Sequence, residues 1–159
     1  MKLLHPLSND PFAAKQTPVR DMVADTLMKN LDHKSDQRSR INVGFVMHTM
    51  QVAGAEVLVT QMIQQLAEQI NPTIFCLDAI GKLGEQMQDK GVPVVILDRK
   101  PGLDLKVAKK LSIAAKQREI QVLHAHQYTP FFYSALSRLL YGNRSKILFT
   151  EHGLSLIHI

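Results

Sequence analysis

From Ile41 onward, short apolar runs rich in β-branched and aromatic residues alternate with longer segments of helical period, and Gly, Pro, Asn or Asp marks each switch. Five runs predict strands: Ile41–Met47, Thr73–Asp78, Pro93–Leu97, Val122–His124 and Lys146–Thr150. Most are apolar in succession rather than alternately, the pattern of strands covered on both faces. Four intervening segments predict helices. These are Ala55–Ile70, with Val59, Met62, Ile63, Leu66 and Ile70 on one stripe, then Leu83–Lys90, Leu105–Arg118 and Pro130–Leu140. Such βα alternation predicts an α/β fold, a Rossmann-like parallel sheet with right-handed crossovers and helices on both faces.

Residues 1–40 differ in character. They hold Pro6, Pro11 and Pro18, a candidate helix from Val19 to Leu31 with Met22, Val23, Thr26, Leu27 and Leu31 on one stripe, and the polar run "DHKSDQRSR". They are expected to form an arm and linker, partly helical or disordered, ahead of a single domain over residues 41–153. The last residues, "LSLIHI" (154–159), follow poorly from the polar "TEHG" and are expected to be a non-native tail. The amino terminus lacks an uninterrupted apolar stretch, and the longest such run elsewhere, Val92–Leu97, is far short of the ~20 residues that span a bilayer.

The net charge is +5, but the 19 Lys and Arg are spread from Lys2 to Lys146 and are not interleaved with aromatics, so no nucleic-acid platform is expected. The charge suits anionic small molecules or a peripheral place on an anionic membrane surface. The one cysteine, Cys76, lies inside the apolar stretch Thr73–Leu77 and is expected to be a small buried thiol in a reducing, cytoplasmic setting.

In parallel α/β sheets, ligands bind outside the carboxyl ends of the strands. Three predicted strands end in histidine there: Met47-His48, His124-Ala125-His126 and Thr150-Glu151-His152-Gly153. A histidine taken singly is more often bonded to loop backbone, but four of the chain's seven meet at one rim. Their spacing matches no compact metal-ligand motif, so no metal is expected. An ordinary imidazole titrates near ~6.5, which would let a rim His126 exchange a proton at neutral pH. His124 is expected to face inward behind it.

The loop "HTMQVAGAEVLVTQ" after the first strand is the second signal. Gly54 opens a helix whose first turn has free N–H groups for a phosphate or sugar hydroxyl, and Ala53-Gly54 lets the backbone approach a ligand. A plain strand-to-helix turn, with Glu56 complementing the helix terminus, is the alternative. G-x-G-x-x-G and the phosphate-loop pattern are absent, which disfavours a nicotinamide dehydrogenase. Gln127 and Tyr128 are candidate hydroxyl binders. Tyr128, Phe131, Phe132 and Tyr133 also suit packing on the sheet at a helix start, and Phe131 and Phe132 are expected in the core.

"VAGAE" (Val52–Glu56), "LHAHQYTPFF" (Leu123–Phe132) and "FTEHG" (Phe149–Gly153), in this order and spacing, resemble the amino-terminal domain of the retaining GT-B glycosyltransferases of family four, over about Ile41 to Gly153. The resemblance implies sugar transfer from a nucleotide-sugar to an acceptor glycan or lipid, with no other cofactor and no nucleic-acid partner. By position it places Ala53-Gly54 near the donor phosphates and acceptor, His126 as the catalytic residue bordering the acceptor, and Glu151-His152 on the same cleft. The sequence departs from the family where Ala53 replaces the first Gly of the usual pair and where residues 1–40 precede the first strand. By the resemblance, the family's carboxy-terminal domain, with the nucleotide-sugar site, is expected to be missing and the amino-terminal, acceptor-side domain over residues 41–153 to be incomplete, so the chain alone is not expected to turn over. Two other classes share parts of the pattern. One is another GT-B enzyme such as a sugar-nucleotide epimerase; the other is a flavodoxin-like or receiver-type binding module, although Asp98 lacks the acidic neighbours a receiver needs.

Overall fold

A computed structural model describes residues 40–153; the expected helix Val19–Leu31 and the tail 154–159 lie outside the described residues. The elements are β1 (Ile41–Thr49), α1 (Gly54–Gln65), β2 (Ile70–Ala79), α2 (Gly81–Asp89), β3 (Val94–Ile96), α3 (Leu105–Gln117), β4 (Val122–His126), α4 (Tyr128–Tyr141) and β5 (Lys146–Thr150). All strand pairs are parallel and the order is β3-β2-β1-β4-β5. The chain thus winds outward from β1 to β3, then returns to the other side of β1 for β4 and β5. Such an order has its switch point between β1 and β4, where adjacent connections leave in opposite directions and open a crevice.

The apolar runs supply two faces because successive side chains in a strand point opposite ways. Val46, Phe75, Leu77, Leu123 and Ala125 pack under α3 and α4 with Val107, Leu111 and Tyr133. Phe45, Met47, Ile74 and Cys76 pack under α1 and α2 with Val59, Ile63 and Met87. Gly44 is needed where β1 passes between its neighbours: a Cβ there would stand 2.6 Å from Cε2 of Phe75 and 2.9 Å from Cδ2 of Leu123. Cys76 is fully buried, and burial pushes its thiol up to about 12, so it is an inert core thiol.

The α/β sheet and its nine elements agree with the sequence analysis, and the differences have local causes. Ile70 is not the end of the first helix but the first residue of β2. The turn closes at Leu66, whose carbonyl accepts from the amides of Gln69 and Ile70, while the amide of Ile41 donates to Gln69 and draws the following residues into the sheet. An isoleucine there satisfies a helical stripe and a strand equally well. Phe131 and Phe132, expected in the core, are 39% and 44% exposed, while Tyr133 is 2% exposed and receives a hydrogen bond at its hydroxyl from the amide of Asp104. The helix turns its Pro130–Tyr133–Ser134–Ser137 face inward, and three consecutive aromatics cannot share one face of a 3.6-residue repeat. No described helix is long and apolar enough to cross a membrane.

Candidate functional site

The loop after β1 is pinned at one residue. Met50 is buried, its amide donates to the carbonyl of Ile80, and its own carbonyl accepts from Leu83 at 2.8 Å at the start of α2. This anchorage leaves Gln51, Val52, Ala53 and Gly54 exposed at the carboxyl end of β1. Ala53 has an ordinary extended backbone and caps α1 without a side-chain hydrogen bond, and the first bond within the helix runs from Val57 to Ala53. Among the described residues, the amides of residues 54–56 have no partner at the positive end of α1. A Cβ on Gly54 would meet nothing within 4 Å, so protein packing does not require a glycine there.

Between β4 and α4 the chain passes through Gln127 at φ 75° and ψ 168°, a conformation that is almost confined to glycine and costs about 1–3 kcal/mol. It is held there because its amide donates to Thr150 at the end of β5, at 2.9 Å, and its carbonyl accepts from Phe131 in the first turn of α4. The strain sets the Gln127 side chain at the rim, beside exposed Tyr128. Hydrogen bonding to the Glu151 carboxylate raises the Tyr128 hydroxyl above its usual range.

His126 is not a rim side chain. It is 1% exposed, and His124, two residues earlier on the same face of β4, is buried as well. Strand periodicity forces this: with His124 facing inward, His126 must face the same way, and both lie against Phe45 on the α1 side of the sheet. Desolvation, together with His124 and His152 nearby, lowers His126 to about 3; burial and His152 also lower His124. His126 consequently does not take up a proton at neutral pH, contrary to the expectation from an ordinary imidazole. His124 Nε2 lies 2.8 Å from the Thr150 hydroxyl, and His126 Nδ1 lies 2.7 Å from His152 Nε2, with the His126 and His152 ring planes only 12° apart.

On the other side of the crevice, His48 Nδ1 lies 3.4 Å from Asp78, whose carboxylate receives two bonds from Arg99 at 2.8 and 3.0 Å. The Arg99 hydrogen bond holds Asp78 below the usual carboxylate range. Asp78 and Arg99 were not among the expected site residues. The available signal was their position at the carboxyl ends of the second and third predicted strands, on the rim already marked by histidines.

His48, Gln127, Tyr128, Thr129, Glu151, His152 and Gly153 line one depression of about 240 Å³ at the carboxyl ends of β1, β4 and β5. Four expected residues, Gln127, Tyr128, Glu151 and His152, thus come together, and His126 lies directly beneath His152. Ala53 and Gly54 share the rim but do not line the depression. A larger cavity of about 510 Å³, with Lys116 and Arg144 at its mouth, lies at the opposite, amino end of β4 and β5. Its buried hydroxyls are already bonded within the protein, Ser112 to Tyr141 and Ser145 to Ile120, and it stands away from the switch point. Among the described residues, no group of three or more His, Cys, Asp or Glu is arranged to hold a metal ion.

The parallel strand order, with helices on both faces, defines a Rossmann-like α/β domain. Residues 52–158 match the family model described as Glycosyltransferase Family 4, and the chain belongs to that family. No curated protein matches the chain in sequence. The crystal structure of a glycosyltransferase from Rickettsia africae ESF-5 has the same fold over 72% of this chain, with a TM-score of 0.56 and 18% identity. The matched region spans 30% of the length of that solved chain.

Proposed function

We propose that this chain is the acceptor-side half of a retaining glycosyltransferase that moves a sugar from a nucleotide-sugar to a hydroxyl of a glycan or lipid. The observation that carries this reading is the convergence of His48, Gln127, Tyr128, Glu151 and His152, from three strand ends, on one depression at the switch point of a family-four domain. Sugar transfer develops positive charge on the ring and negative charge on the departing diphosphate, so fixed donors near the phosphate and polar groups near the acceptor are what lower the barrier. In this reading the open amides at the start of α1, reached through Ala53-Gly54, receive the diphosphate. Gln127, Tyr128, Glu151 and His152 orient the acceptor hydroxyl, and His126 supports His152 from below. The reaction requires no cofactor besides the co-substrate.

The donor sugar is assigned to a further domain, consistent with a solved relative more than three times as long as the matched region. The peripheral membrane setting expected from the charge, in a cytoplasmic protein as the lone cysteine suggests, would be served by α3, whose exposed face carries Lys106, Lys109 and Lys116 around Ile113 and which contains no acidic residue.

The test uses this domain joined to its donor domain in one reading frame, a panel of nucleotide-sugars, and NMR of the anomeric proton. Sugar appearing on an acceptor with its anomeric configuration retained is the expected result. Sugar that changes configuration while staying on the nucleotide would establish the epimerase alternative, and no binding of any nucleotide-sugar would refute the transferase reading.

A further inference from the structure

Nε2 of His126 is buried and has no hydrogen-bond partner among the described residues. This vacancy decides which way the bond between His126 and His152 runs. A neutral imidazole has one N–H and one lone pair, so two arrangements are open. If His152 donated from Nε2, His126 would carry its own hydrogen on Nε2, leaving a buried N–H without an acceptor. If His126 donates from Nδ1, the unpartnered atom is a lone pair. Orphaned buried N–H groups are the rarer and costlier of the two. A third arrangement, with His126 doubly protonated, places a charge in the core beside two other imidazoles, which the burial of this residue opposes.

We propose that His126 is a positioning residue whose Nδ1–H donates to Nε2 of His152, fixing His152 as the Nδ1–H tautomer at the rim of the depression. The 2.7 Å separation and the near-parallel rings hold that geometry. His152 Nε2 is then committed as an acceptor, and the ring nitrogen that remains is Nδ1, which makes no hydrogen bond among the described residues. His152 accordingly offers the site an N–H donor, and not a basic lone pair, suited to the oxygen-rich substrates of a sugar transfer. This inference rests on the transferase reading of the depression, but its test requires no turnover, so either can fail alone.

The test is long-range ¹H–¹⁵N NMR of the imidazoles in the full chain near neutral pH, with assignments from single histidine substitutions. Both His126 and His152 are expected as Nδ1–H tautomers. An Nε2–H tautomer at either position in the native chain overturns the proposal without recourse to a variant. His126→Leu, which keeps an apolar filler, should release His152 toward the Nε2–H form that predominates in unconstrained histidine. His126→Asn, whose amide can place an N–H where Nδ1 was, should restore the Nδ1–H form. A folded His126→Leu protein in which His152 keeps its native tautomer would also overturn it.

Discussion

At the scale of single residues, His124 and His126 couple the site to the stability of the core. Both are held below the ordinary histidine value by burial, His126 to about 3, whereas in the unfolded chain each titrates near ~6.5. The unfolded state therefore binds more protons once the pH falls below about 6.5, and folding is disfavoured there. Their contribution is fully present above the unfolded value and is lost as pH falls below about 6.5, for His126 down to about 3, with a slope of up to about 1.4 kcal/mol per pH unit for each histidine while it is neutral in the fold and protonated in the unfolded chain. Urea midpoints between pH 7.5 and 4.5 should fall accordingly. His126→Ala should lower the midpoint at neutral pH, costing about 2–4 kcal/mol for the cavity and the lost bond, and should flatten the pH dependence. An alanine variant as stable as the parent at pH 7 would contradict the burial of this side chain.

At the scale of elements, two backbone positions make opposite predictions. Gly44 lies where β1 is flanked by Phe75 and Leu123, and an added methyl has no room on either side. Gly44→Ala should destabilise by about 1–3 kcal/mol through overpacking, and an unchanged urea midpoint would show that the sheet opens there. Gln127 is the reverse case, a side chain borne by a backbone that suits glycine. Gln127→Gly should relieve about 1–3 kcal/mol of strain, less about 0.5–1 kcal/mol for the freer unfolded chain, and so stabilise by about 1 kcal/mol. In the proposed enzyme, joined to its donor domain, the acceptor role assigned to Gln127 means that the same change should raise KM for the acceptor, because the positioned amide is lost. A glycine variant that is less stable would mean that side-chain contacts, and not the β4–β5 clamp alone, hold this turn.

At the scale of the whole molecule, the ligand rim and the basic face of α3 are separate surfaces with separate tests. Lys106, Lys109 and Lys116 lie on one stripe of α3, while Lys110 is bonded to the carbonyl of Leu97. Each lysine near an anionic bilayer contributes about 1 kcal/mol, so replacing all three by Gln should weaken binding to phosphatidylglycerol vesicles by about a hundredfold. Binding by the parent should also fall steeply with salt. Equal binding to neutral phosphatidylcholine vesicles, or no loss in the triple variant, would remove α3 as a membrane face.

The sequence alone determined the α/β class, the parallel pairing and the rim on which the polar residues gather. Each of these follows from local periodicity and from the general rule that parallel strands present ligands at their carboxyl ends. The lone Cys76 was legible as a core thiol for the same reason, an apolar residue type within an apolar run. Helix and strand boundaries were less legible where one apolar residue fits both periods, as Ile70 does. Strand order lay beyond local pattern, because nothing near Val122 records that β4 returns to the free edge of β1. That return creates the switch point, brings His48 across from Gln127, and sets His152 within hydrogen-bond distance of His126. The burial of His126 was half legible: strand periodicity tied its direction to that of His124, but only the tertiary fold brought His152, just past the end of β5, against its Nδ1. Likewise the Arg99–Asp78–His48 chain joins residues far apart in sequence, and its bonds exist only because β1, β2 and β3 end side by side.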